Sequence, residues 1–172
     1  AYPVAKLAGE KLLLDSGKAG KTIPKIIRLF HTFGPGLKVN DGRSFSDFLW
    51  AGAKGNNLLL RSSGDAVRSF LYIEDAIAGI LLVLLQGAWG GVYNLGSPKQ
   101  LSILEYAELV ALEAGVSVTR PKDQSAADGY TSSPIHFLVP DTRKITKIGW
   151  STQVSPREGI QRTLKWAKHT LD

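Results

Sequence analysis

Tyr2 and Lys6 stand four residues apart in Ala1-Tyr2-Pro3-Val4-Ala5-Lys6-Leu7-Ala8-Gly9-Glu10-Lys11-Leu12. If this stretch is helical from Pro3 on, the two share a face and an ammonium sits beside a phenol. A neighbouring cation favours phenolate, so a group with a pKa of about 10 in water can give and take a proton closer to neutrality. Such pairs also occur on helices that do no chemistry, so this one gains meaning only from its surroundings. His31 closes an apolar run and opens the turn-rich His31-Thr32-Phe33-Gly34-Pro35-Gly36, which is where open α/β sheets hold ligands. Arg43 and Arg61 are candidate phosphate partners, and Arg68 offers the same planar, permanently charged fork.

These groups need a scaffold, and the sequence punctuates one. A helix is predicted from about Pro3 to Ser16, with Pro in the first turn and Gly17 and Gly20 as the stop. Ile26 to Phe30 is apolar apart from Arg28, which predicts a buried strand of parallel type. A helix over Ser44 to Ala53 follows, then short strands at Leu58–Arg61 and Arg68–Ile73. Asp75 is expected to cap an apolar helix ending near Gln86, and Val92–Leu95 to form a strand between glycines. Ser102-Ile103-Leu104-Glu105 reads as a capping box for a helix that Gly115 ends. Val116–Thr119 alternates like an exposed strand, 120–133 is a polar loop, and Pro140-Asp141 opens a short helix to Ile148. Ser155-Pro156-Arg157-Glu158 is a second capping box, for the last helix. Trp50, Trp89, Trp150 and Trp166 are expected to pack into cores. No internal repeat is present.

The 172 residues, 44% hydrophobic, suffice for one sizeable core. The absence of Cys excludes thiol catalysis and Cys-based metal sites; it suits a reducing, cytoplasmic setting, and no metal is expected. The most apolar run, Ala76 to Leu85, is too short to span a bilayer, so no membrane insertion is expected. A net charge of +6 raises nucleic acid as a partner, but the basic residues are scattered and do not interleave with aromatics. A small phosphate-bearing ligand accounts for the charge better. The sequence has no Met and no G-x-G-x-x-G turn opening a helix, and it reads as part of a longer fold.

Five motifs occur in order: Tyr2-x-x-x-Lys6; Arg28-Leu29-Phe30-His31-Thr32-Phe33-Gly34-Pro35; Arg68-Ser69-Phe70-Leu71-Tyr72-Ile73-Glu74-Asp75; Tyr93-Asn94-Leu95-Gly96; and Ile148-Gly149-Trp150 before Ser155-Pro156-Arg157-Glu158-Gly159. Together they resemble the carboxyl-terminal half of an extended short-chain dehydrogenase/reductase, the NAD-dependent nucleotide-sugar epimerase/dehydratase family. Asp41-Gly42-Arg43-Ser44-Phe45-Ser46-Asp47-Phe48 is further similar to UDP-glucuronate decarboxylases and related dehydratase-like enzymes of surface-polysaccharide synthesis.

The resemblance implies an α/β fold: the C-terminal part of a Rossmann-type doubly wound sheet plus a small mixed α/β substrate-binding lobe. Residues 1–35 would end the dinucleotide-binding domain, and 36–172 would mostly form the nucleotide-sugar lobe, with 68–96 partly returning to the Rossmann sheet. By the same resemblance Tyr2 is the acid/base toward a sugar hydroxyl. Lys6 binds the nicotinamide ribose and holds the phenol toward phenolate, and Phe30 contacts the nicotinamide end through its backbone. His31, in place of an Asn, and Arg68 hold the substrate diphosphate, Phe70 sits near the base, and Asp47 takes the position of another Asn. Relatives commonly add a second diphosphate arginine late in the chain; the nearest candidate here is Arg143. The implied cofactor is NAD, the substrate a UDP-, dTDP- or GDP-sugar, and the intact state a homodimer. The Ser or Thr partner of the tyrosine and the glycine-rich NAD loop would lie outside these residues, so the stretch alone is expected to be inactive. The alternative is a non-catalytic nucleotide-sugar or phosphate-binding module.

Overall fold

The computed structural model describes residues 2–120 and 134–171; nearly all of the expected 120–133 loop lies outside them. In chain order the elements are α1 (Tyr2–Lys18), β1 (Ile26–Leu29), β2 (His31–Phe33), α2 (Ser44–Ala53), β3 (Leu58–Leu59), β4 (Val67–Tyr72), α3 (Ile73–Gln86), β5 (Val92–Leu95), β6 (Gln100–Ser102), α4 (Ile103–Ala114), β7 (Val118–Thr119), β8 (Phe137–Leu138), α5 (Arg143–Thr146) and α6 (Pro156–Leu171). The α/β class expected from the sequence is the observed one, with parallel pairing of β1 to β5, β2 to β4, β3 to β7 and β4 to β8. Among the described residues, only the β6–β4 pair is antiparallel.

β4 organises the molecule because both of its faces are buried. Its alternation sends Phe70 and Tyr72 into the larger core, with Phe33, Phe45, Tyr106, Ile160 and Leu164, while Leu71 enters the second core with Val83, Tyr93, Leu95, Ile145 and Trp150. Helices α2, α4 and α6 pack on one another around the first core. The chain crosses between sheets at Phe30: β1 pairs with β5, β2 pairs with β4, and the Phe30 N–H donates to the Leu95 carbonyl at 2.9 Å. Gly96 permits this junction, since a Cβ there would lie 2.7 Å from Pro140 Cγ and 2.9 Å from Ser69 Oγ.

Local signals held where they depend on neighbours in sequence. Ser102 Oγ accepts from the Glu105 N–H, and the Glu105 carboxylate accepts from the Ser102 N–H, closing the expected capping box. Gly115 ends α4 in the left-handed region at φ 72°. Ser155 Oγ accepts from the Glu158 N–H at the start of α6.

Three expectations fail for tertiary reasons. β1 is parallel but buried only at its start: Ile26 is buried, whereas Arg28 and Leu29 are exposed and Arg28 reaches out to a two-point ion pair with Glu10 of α1. Asp75 is not the cap of α3, whose N-cap is Tyr72; the Asp75 carboxylate accepts instead from the N–H groups of Gln153 and Val154, at 3.0 and 3.1 Å. Trp89 is exposed rather than core, lying with Leu14, Lys18 and Pro24 along a groove where side-chain-free Gly17 leaves room for the indole. No helix among the described residues is long and apolar enough to cross a membrane.

Candidate active site

The junction at Phe30 places His31 as the first residue of β2, level with Phe70 on β4. One residue pair earlier on β4, Arg68 sits opposite Leu138 of β8 and Leu101 of β6. Arg43 stands just before α2, whose second residue, Phe45, is buried. Together these positions enclose a cavity of about 300 Å³ lined by His31, Arg43, Ser44, Phe45, Ser62 and Arg68, with His136 and Leu138 on its far side. A second cavity of about 190 Å³ holds Asp47 and Arg61 with Asn57, Phe48 and Leu60. The two adjoin, because Ser44, Ser62 and Ile103 line both. Five of the expected substrate residues therefore meet in one double cavity, four of them brought from separate elements or turns.

The charges are unequal in availability. Arg68 is 6% exposed and donates through Nη2 to the Ile135 carbonyl at 2.7 Å and through Nη1 to that of Val67 at 2.8 Å. Its guanidinium thus fastens the segment leading into β8 to β4. Arg43 is paired with Asp41 and lies 4.8 Å over the Phe45 ring, but its side chain is half exposed at the cavity mouth. His31 is held below its ordinary pKa, first by burial and then by the charges of Arg68 and Arg43. Asp47 moves the other way, pushed up by burial against the opposing effect of Arg61. This acid lies in the second cavity, beside Arg61, rather than among the groups around His31.

Phe70 lines neither cavity. It is buried, stacked on Tyr106 at 4.1 Å between centroids, and supports the His31 ring from behind at 5.9 Å. Arg143 is likewise elsewhere: it pairs with Asp141 and lines a basic hollow with Asn94, Lys144 and Lys147 at β5. Sequence reasoning missed Ser44, Phe45, Ser62 and His136. The two serines and Phe45 sit next to residues that it did single out, but His136 reaches the cavity only through the β8–β4 register, which no local pattern encodes.

Tyr2 and Lys6 behave as their spacing requires: both lie on α1, with the Lys6 ammonium 5.4 Å from the centre of the Tyr2 ring. Tyr2 is 73% exposed, and neither residue lines the double cavity. The Phe30 N–H is spent on Leu95 and its carbonyl accepts from Thr32 Oγ1 at 3.1 Å.

The sequence profile of the NAD dependent epimerase/dehydratase family matches residues 1–96, more than half of the chain. The chain belongs to this family. UDP-glucuronic acid decarboxylase 1 of Danio rerio is 31% identical over 173 residues, spanning 99% of this chain and 40% of the relative. UDP-glucuronic acid decarboxylase 6 of Arabidopsis thaliana is 29% identical over 160 residues, spanning 92% and 45%. Among solved structures, the Bordetella bronchiseptica enzyme WbmF, crystallised with NAD+ and UDP, superposes with a TM-score of 0.81 at 26% identity, covering 99% of this chain and 53% of that one. The chain thus spans less than half the length of these curated relatives and about half of that structure. The family is NAD-dependent. The Tyr2–Lys6 pair is exposed and in contact, whereas the sequence has no glycine-rich turn to cradle a pyrophosphate.

Proposed function

We propose that the intact protein is an NAD-dependent enzyme that epimerises, dehydrates or decarboxylates a nucleotide sugar through a transient 4-keto sugar. In this reading residues 1–35 close the dinucleotide-binding domain and 36–172 bind the nucleotide sugar, with 68–96 shared. The observation that carries it is the double cavity, which joins a cationic chamber, where β1 has just ended and β2 and β4 begin, to a side chamber that holds Asp47, Arg61 and Asn57, as a diphosphate attached to a nucleoside needs.

Arg43 and His31 hold the diphosphate, Arg68 braces the wall against which it lies, and Asp47, Arg61 and Asn57 face the remainder of the ligand. Tyr2 takes a proton from a sugar hydroxyl and returns it, and Lys6 lowers the cost of the phenolate that this requires. Phe30 lies at the nicotinamide end. NAD, when bound, supplies the acceptor for the sugar hydride. The UDP ligands named for the relatives and for the WbmF complex favour a UDP-sugar over dTDP- or GDP-sugars. The intact form is a homodimer, and the 172 residues alone are inactive.

Tyr2→Phe in the intact enzyme tests the chemistry. It should abolish substrate-dependent reduction of NAD while leaving nucleotide-sugar affinity within about threefold. Retained turnover would remove Tyr2 from the mechanism. Micromolar nucleotide-sugar binding without NAD, together with no turnover by the intact protein, would establish a binding module instead.

A further inference from the structure

At the end of the molecule where β1 and β5 begin, the chain gathers cations and bare apolar side chains. Residues 11–25 carry Lys11, Lys18, Lys21 and Lys25 against the single acid Asp15, and 84–91 carry no charge. The two stretches are fastened together: Lys25 donates to the Leu84 carbonyl at 2.6 Å, and the Gly90 N–H donates to that of Pro24 at 2.9 Å. Around this joint three large apolar side chains face solvent, Ile23 at 74% exposure, Leu85 at 76% and Trp89 at 64%. Trp89 rests against the end of α1, where a Cβ on Gly17 would lie 3.3 Å from the indole nitrogen. Asp15 is engaged by Lys11 at 2.6 Å and approached by Lys18 only at 4.0 Å, while Lys18 and Lys21 stay exposed.

A single exposed apolar residue needs no explanation, but three around one joint, set among lysines, have a physical meaning. The indole of Trp settles at the level of lipid headgroups, with its carbons toward the acyl chains and its N–H in water. Lysine stems lie along apolar surface while the ammonium reaches toward phosphates. We infer that this end of the protein is a docking surface for an anionic lipid bilayer, on which the protein lies without spanning it. The charge balance selects an anionic leaflet, whose negative potential draws in clustered lysines. The apolar side chains project from a loop, a helix end and a turn, and a fluid surface conforms to such scattered tips where a folded partner would have to match them. The face is also remote from the double cavity, since β1 starts at this joint and the cavity lies past its end.

Sedimentation of the intact protein with lipid vesicles tests the surface. Vesicles of about 30% phosphatidylserine in phosphatidylcholine should carry the protein down at about 0.1 M salt and release it at about 0.5 M, with pure phosphatidylcholine binding at least about tenfold less. K18E/K21E should weaken partitioning by about 25-fold or more, because each lysine near such a surface is worth about fivefold. I23N and L85N should each weaken it by about fivefold, through lost apolar burial. Tryptophan emission should move to shorter wavelength on the charged vesicles in the wild type and not in W89F. No sedimentation with charged vesicles at low salt would overturn the inference, as would K18E/K21E binding as tightly as the wild type. Binding that ignores I23N and L85N would reduce the effect to the chain's net charge and overturn it as well. An intact protein whose Trp89 is shielded from acrylamide quenching before lipid is added would assign the patch to a protein contact instead, and the lipid surface would fall.

Discussion

Arg68 and Arg43 divide work that sequence motifs assign to a single kind of residue. Arg68 is spent largely on backbone carbonyls, where a planar fork can satisfy two acceptors from different segments at once. Lysine cannot span them. Arg68→Lys should therefore cost about 1–3 kcal/mol of stability and speed amide exchange at Phe137 and Leu138, while exchange in α6 follows only the global change. Arg43 is half exposed, and its charge is paired with Asp41 and lies over the Phe45 ring, so Arg43→Ala should leave the unfolding midpoint nearly unchanged and weaken UDP binding by about tenfold. Equal effects of the two changes on stability would refute this division. The motif singled out Arg68, but not its commitment to Ile135, since that carbonyl lies 67 residues away in sequence.

At the scale of elements, the molecule is held by one cap that the sequence announces and one that it conceals. The Ser102–Glu105 box is written in four consecutive residues, and Ser102→Ala should cost about 1 kcal/mol. Asp75 is 3% exposed and receives two backbone N–H groups from the turn before α6, tying α3 to the far end of the chain. Its neighbour in that joint is Trp150, whose indole N–H donates to the Asp75 carbonyl at 3.0 Å. Asp75→Ala strands both N–H groups and should cost about 2–4 kcal/mol, clearly more than the loss of the Ser102 cap. Chemical denaturation of both variants checks the order; a smaller loss for Asp75→Ala would mean that water replaces the carboxylate.

The whole molecule should lose stability with acid in two stages. His31 has a folded pKa below that of the unfolded chain, so its contribution is complete above about pH 6.5 and declines as pH falls from there, because the unfolded state then binds more protons. The carboxyls of Glu10, Asp15, Glu105 and Glu113 are lowered by hydrogen bonds with Arg28, Lys11, Ser102 and Gln161 respectively, and Asp141 falls to about 2 beside Arg143. Their contributions are present above about pH 4.5 and fade below it. These pairs are at the surface, so salt should weaken the second stage but not the first. Asp47, raised by burial, acts in the opposite sense and partly offsets the second stage. Urea unfolding from pH 8 to 3 should show the first decline in the wild type and not in H31Q. A wild type with constant stability between pH 7 and 5 would contradict the burial of His31.

What the sequence determined by itself was whatever its near neighbours enforce: the Tyr2–Lys6 pairing on one helical turn, the Ser102 cap, the glycine ends of helices, the parallel strands and the family they belong to. Each follows from steric and hydrogen-bonding rules that operate over about four residues, or from a motif that survives as a string. Only the tertiary structure decided that β1 would leave Arg28 in solvent, that Asp75 would cap a distant turn, that Trp89 would stay outside, and that Arg61 and Asp47 would share one chamber while His31, Arg43 and Arg68 shared the next. Those outcomes depend on which segments meet across the two faces of β4, and contact between residues tens of positions apart has no periodic signature in the chain.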